Sequence, residues 1–181
     1  MRVSRADLPD VAVIEADRFE DERGFFTRLI CVETLAAAGL PFRPVQVSRS
    51  FNARAGTLRG MHFQHPPHAE TKLVQALRGR AWDVALDLRP DSPTRGRWCA
   101  VELTGDNGRA VLIPPGFAHG FITLADETEL LYATDAPWAP GAEGGVRWDD
   151  PAFAIAWPAA PTVISARDAG HPDWAPDGCG R

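Results

Sequence analysis

Short runs that alternate apolar and polar residues, each closed by a turn, constrain this chain more than any other feature. Val45-Gln-Val-Ser-Arg-Ser50, Trp82 to Leu88 and Trp98 to Leu103 alternate as half-buried strands do. Val11 to Ile14, Leu73 to Leu77, Ala110 to Ile113, Ile122 to Leu124 and Leu130 to Thr134 add further apolar runs of strand length. Sixteen glycines and sixteen prolines among 181 residues keep the elements short. Only Glu33 to Ala38 reads as a helix before the C-terminal region, with Gly39 as its stop and Pro41 beyond. Many short strands with few short helices predict an all-β fold, a jelly-roll barrel, built as a single domain over residues 1–181. Gly105-Asp-Asn-Gly108 predicts a hairpin between the strands on either side, and Ala175 to Arg181 are expected to fray.

Composition excludes several functions. A net charge of −5 with no basic stripe argues against nucleic acid as a partner. No apolar run approaches the ~18 residues of a membrane span, and the N-terminus has no signal-peptide core. Cys31, Cys99 and Cys179 are odd in number and widely spaced, as free thiols of a reducing compartment are. A cytoplasmic location is the expectation.

Chemistry concentrates between Gly56 and Val74, which holds three of the five histidines, His62, His65 and His68, with Arg59 before His62 and Lys72 after it. A titratable base between fixed cations suits an anionic substrate, and a His-rich loop between strands is the alternative. Trp82, Val84, Leu86 and Leu88 share one face of a strand, with Asp83 and Asp87 on the other. Those aspartates must meet solvent or pair with Lys or Arg. Phe19 to Phe26 packs three phenylalanines around Arg23 and Gly24. It reads either as a hairpin whose aromatics fill the core, or as a platform for a flat base and a phosphate.

Three classes compete. Pro114-x-Gly116-x-x-His119 is similar to the second motif of the metal-binding cupins. Their first motif needs His-x-His with a Glu soon after, and His62-Phe-Gln64 puts an amide in the second place, with Glu70 as the nearest carboxylate. Losing one of three or four ligands weakens a metal site strongly. A non-catalytic barrel accounts for the aromatics and cations but gives no use for His, Lys and a lone Tyr together. Metal-free proton transfer next to a carbonyl needs a base on one face, an acid on the other and a cation at the enolate oxygen. An aspartate behind the base would fix its tautomer.

An ordered set of motifs narrows the choice. Arg23-Gly-Phe-Phe26, Thr57-Leu-Arg-Gly-Met-His-Phe-Gln64, Glu70-Thr-Lys-Leu-Val74 and Asp83-Val-Ala-Leu-Asp-Leu-Arg89 come first. Ser92-Pro-Thr94, Ile113 to Phe121, Trp148-Asp-Asp-Pro151, Ile155-x-Trp-Pro158 and Ser165-x-Arg-Asp168 follow. Together they resemble the dTDP-4-dehydrorhamnose 3,5-epimerase family, from about Ile14 to Asp168. The resemblance implies a cupin-type jelly roll that has lost its metal, needs no cofactor and works as a homodimer. Its substrate would be a nucleotide-diphospho-4-keto-6-deoxysugar, epimerised at C5 and C3, or at C3 alone as in relatives from deoxysugar pathways.

By the same resemblance His62 is the base, Asp168 its orienting partner, Lys72 the stabiliser of the enolate oxygen and Tyr132 the acid. Arg59 and His119 match residues near the sugar and diphosphate. Arg23, Phe19 and Phe26 match a strand that holds the nucleotide in the neighbouring subunit. Gln46, Trp138 and Glu143 match further substrate-side positions. Arg28 stands where the family usually has Glu, and Trp138 where it usually has Tyr; an acceptor exchanged for a donor bears on the base recognised. Ser165, three residues before Asp168, also fits a helix capping box. Strict alternation would put Arg59 and His62 on opposite faces of their strand, so a bulge near Gly60-Met61, or the exit of one residue from the site, is expected.

Overall fold

The computed structural model describes residues 1–175. In chain order its first seven strands are β1 (Arg2–Arg5), β2 (Ala12–Glu15), β3 (Arg18–Asp21), β4 (Gly24–Thr27), β5 (Gln46–Asn52), β6 (Thr57–Gln64) and β7 (Lys72–Arg78). The others are β8 (Arg80–Asp87), β9 (Trp98–Thr104), β10 (Arg109–Ile113), β11 (Phe117–Thr123), β12 (Thr128–Thr134), β13 (Glu143–Gly145) and β14 (Val163–Ile164). The helices are α1 (Val32–Ala37) and α2 (Ala166–Ala169). One sheet runs β1-β2-β10-β7-β12-β5 and the facing one β13-β6-β11-β8-β9. All neighbours are antiparallel except β14, which lies parallel to β6. The result is the expected jelly roll. The expected fraying beyond Ala175, and Cys179, lie outside the described residues.

Alternation decides which side chains meet between the sheets. Val74, Ala85, Val101, Val111, Phe121 and Leu130 fill that space. Leu35 of α1 and Phe42 cover the outer face of the first sheet, against Ile14 and Leu73. Phe153, Ile155 and Trp157 cover the outer face of the second, against Val84, Leu86 and Leu88. The apolar face of β8 therefore points away from the barrel interior, and its aspartates point in.

Asp87 is fully buried and accepts hydrogen bonds from Arg89, Ser92 and Thr94. Burial alone would raise its carboxyl, but these donors outweigh it and hold the group at about 2. A folded-state value below the unfolded one stabilises the fold above the ordinary carboxylate range. That stability is lost as pH falls through the native value, so unfolding temperature is expected to drop steeply between pH 4 and 2. Asp87→Ala is expected to cost about 3 kcal/mol by urea unfolding at pH 7, because it leaves the Arg89 guanidinium without its main partner.

Three expectations are corrected. Residues 105–108 do not close a hairpin, since β9 and β10 belong to different sheets. Asn107 Oδ1 accepts from the amides of Thr104 and Arg109, and Thr104 Oγ1 accepts from those of Asp106 and Asn107. With its amides satisfied locally, this corner carries the chain from one sheet to the other. The β3–β4 hairpin forms, but Phe19, Phe25 and Phe26 are exposed rather than in the core, because this two-stranded unit stands apart from both sheets. Finally, the face of β5 that carries Val47 and Phe51 is exposed, as is Val45 just before the strand, instead of half-buried.

Candidate active site

The paired sheets enclose a cavity of about 300 Å³ lined by the side chains of Arg59, His62, Lys72, His119 and Tyr132, among others. Parity is broken as the spacing required. His119 of β11 faces His62 of β6, but Phe121 faces Arg59, so three steps on β6 match two on β11. The extra residue is a bulge, and it turns Arg59 to the same side as His62. Gly60 makes it possible: its φ is +133°, and a Cβ there would lie 2.4 Å from the Cα of Gly120.

His62 Nε2 lies 2.8 Å from Asp168 Oδ1. The other carboxylate oxygen of Asp168 accepts from the Gly60 amide at 3.1 Å. Burial opposes the charge on Asp168, yet the His62 ring and the Gly60 amide together hold its carboxyl below the usual range. Ser165 does cap α2, accepting from the Asp168 amide at 3.0 Å. The Asp168 side chain, however, turns to β6 instead of back to the cap, so the capping residue and the dyad partner are parts of one device. If Nε2–H donates to the carboxylate, Nδ1 keeps the lone pair that a base needs.

Lys72 Nζ pairs with Glu70 at 3.1 Å and donates to the carbonyl of His62 at 3.2 Å. On the neighbouring strand β12 of the same sheet, Tyr132 OH shares a hydrogen bond with Ser50 Oγ at 2.7 Å. Burial pushes the phenol up to about 12, so it stays protonated throughout the neutral range. Asn52 accepts from Arg59 Nε at 2.8 Å. His119 Nε2 meets Asp83 Oδ2 at 2.8 Å, with both groups buried. Asp83 thus pairs with an imidazole rather than the expected Lys or Arg, and burial pushes its carboxyl up. At the mouth, the Trp138 indole donates to Glu143 and its amide to Gln46, while Arg167 pairs with Glu143.

Arg23, Phe19 and Phe26 are not brought to this cavity; they lie on the exposed hairpin, with Arg23 paired to Asp21. Spacing alone missed Ser50, Asn52 and Arg167. Ser50 and Asn52 share a face of β5, opposite its exposed apolar face, a period-two pattern that could have marked them.

A cupin metal would need His62, Gln64, Glu70 and His119 to converge on one point. They do not fit that role. The Gln64 amide nitrogen donates to Glu70 at 2.7 Å and to the His68 carbonyl, while its oxygen accepts from the Ala139 amide. Glu70 is held by Lys72, and His119 by Asp83. An oriented imidazole, an ammonium and a protonated phenol around one cavity can instead move protons at a carbon next to a carbonyl. That is the chemistry of an epimerase.

The model of the dTDP-4-dehydrorhamnose 3,5-epimerase family matches residues 5–176. A dTDP-4-dehydrorhamnose 3,5-epimerase of Sinorhizobium fredii is 41% identical over 170 residues, 91% of this chain and 85% of the relative. A crystal structure of the Bacillus anthracis enzyme of that name, with TDP and PPi bound, is 40% identical with a TM-score of 0.92, covering 96% of this chain and 99% of that one. A dTDP-4-dehydrorhamnose 3-epimerase of Streptomyces niveus is 37% identical over 93% of this chain and 81% of its own. The chain belongs to the dTDP-4-dehydrorhamnose 3,5-epimerase family, and so to the isomerases.

Proposed function

We propose that this chain inverts C5 and C3 of a dTDP-4-keto-6-deoxyhexose without a cofactor. What carries the reading is His62, paired with Asp168 at 2.8 Å and lining the same cavity as Lys72 and Tyr132. His62 Nδ1 takes the proton from the carbon beside the C4 ketone, and Asp168 stabilises the imidazolium that forms. Lys72 meets the negative charge that develops on the ketone oxygen. Tyr132, protonated at neutral pH, returns a proton from the other face. Arg59 and His119 take the sugar and diphosphate side, and Gln46, Trp138 and Glu143 the nucleotide side at the mouth.

The working unit in this reading is a cytoplasmic homodimer. The unpaired edge of β5, with Val45, Val47 and Phe51 uncovered, supports a second copy. The detached hairpin with Phe19, Phe26 and Arg23 is suited to reach the nucleotide of that copy. Arg28 lies beside Phe19 and Phe26 in a small hollow, on the face that would meet the base. Competition between dTDP-, CDP- and GDP-sugars tests which base it selects.

Incubation with dTDP-4-keto-6-deoxyglucose in deuterated water is expected to place deuterium at both C3 and C5, read by NMR. Exchange at C3 alone would select the 3-epimerase reading, which the Streptomyces niveus relative supports. No exchange at either carbon would sink the assignment for this substrate.

A further inference from the structure

His171 is half-buried, and the proton-transfer reading does not use it. It follows α2 directly, so the helix that presents Asp168 also delivers His171 to the same place. Its Nε2 is buried with no hydrogen-bond partner among the described residues. The backbone of β13 makes room for the ring: a Cβ on Gly145, which pairs with His62, would lie 2.3 Å from that nitrogen. The His171 and His62 rings stand edge to face, 6.4 Å between centroids. One ligand atom each from His62, Asp168 and His171 lie within 4.8 Å of one another, the sole such set among the described residues.

We propose that His62, Asp168 and His171 form a binding site for a borderline divalent transition ion such as Zn²⁺, and that the ion switches the enzyme off. Two imidazoles and one carboxylate suit Zn²⁺ or Co²⁺, whereas Mg²⁺ and Ca²⁺ require more oxygens. Asp168 supplies the negative charge. His171 offers a ring nitrogen that is buried with no hydrogen-bond partner among the described residues. The His62 side chain is 39% exposed and lines the cavity.

The ion inhibits through the tautomer. At Nε2 of His62 it takes the place of the proton shared with Asp168, and that proton moves to Nδ1 with none released. Nδ1–H has no lone pair, so it cannot accept a proton from substrate. The site rests on the geometry around Asp168, and its binding is read with no substrate present, so it stands or falls apart from the epimerase reading.

The test is calorimetric titration of the full chain with Zn²⁺ alone. One ion per chain is expected, with turnover inhibited in step and restored by EDTA. His171→Asn is expected to weaken Zn²⁺ at least ~10-fold, the usual scale for disturbing a metal site, while metal-free turnover stays within about twofold. Wild-type NMR guards against a variant that fails to fold: the ring resonances of His62 and His171 should shift together as Zn²⁺ is added. No stoichiometric binding, equal affinity in His171→Asn, a shift of the His62 ring alone, or full activity with Zn²⁺ bound would each overturn the proposal.

Discussion

His62→Ala is expected to lower turnover at least ~10²-fold, the scale on which a positioned general base contributes. The change removes the ring paired with Asp168 Oδ1 while leaving the supports of that carboxylate in place: the Gly60 amide still donates to Oδ2, and Ser165 still caps α2. The fold should therefore survive, and dTDP-sugar binding with it, since Arg59 and His119 keep their partners Asn52 and Asp83. Steady-state kinetics with calorimetric binding separates the two effects. Deuterium incorporation into the 4-keto sugar should fall with the rate, because the step removed is proton abstraction. An unchanged rate would take His62 out of its role. Retained binding by a wild type that shows no turnover would favour a non-catalytic barrel.

Legibility in the sequence followed the physics of each element. Strands buried on one side only were readable because that burial imposes period two, as on β9. The β8 pattern was legible, but the direction of its faces was left open. Nothing in Trp82-x-Val84-x-Leu86-x-Leu88 says that a distant tail, Phe153 to Trp157, covers that face and leaves Asp83 and Asp87 pointing inward. The corner at residues 105–108 has hairpin chemistry, but whether two strands share a sheet depends on long-range pairing that no turn encodes. The exposed phenylalanines of β3 and β4, like the bare face of β5, look like core material because composition does not tell an apolar residue left exposed from one facing its own sheet.

In the site, His62, Lys72, Tyr132 and Asp168 come together as the motifs implied, although they lie on three strands and a helix. Gln64 is the most telling case. Its amide in the place of a metal ligand was visible, but the use it serves, tying Glu70 and the 137–139 loop into the wall beside Lys72, is long-range and was not. His171 carried no motif at all; only the turn out of α2 puts it beside the dyad.

Gly60→Ala is the second large effect expected, and it tests how the strand makes the site. At φ +133° an alanine is strained wherever it sits, at about 1–3 kcal/mol. Here the added methyl also meets backbone, the Cα of Gly120 at 2.4 Å and the carbonyl of His119 at 3.0 Å, which no side-chain rotation can relieve. The two together are expected to cost about 3 kcal/mol or more, and a drop in unfolding temperature of roughly 6–12 °C for a chain of this length. Turnover should fall further than stability alone explains. The bulge at Gly60 is what aligns Arg59 with His62, and its amide holds Asp168 in place. If β6 moves away from β11, the cation leaves the face of the base and the carboxylate loses its second anchor. Thermal unfolding and kinetics on the same preparation, below the variant's transition, separate the two losses. A variant with wild-type unfolding temperature would show that β6 reaches this register without glycine. One that is destabilised yet fully active when folded would show that the bulge supports the fold but does not set the geometry of the site.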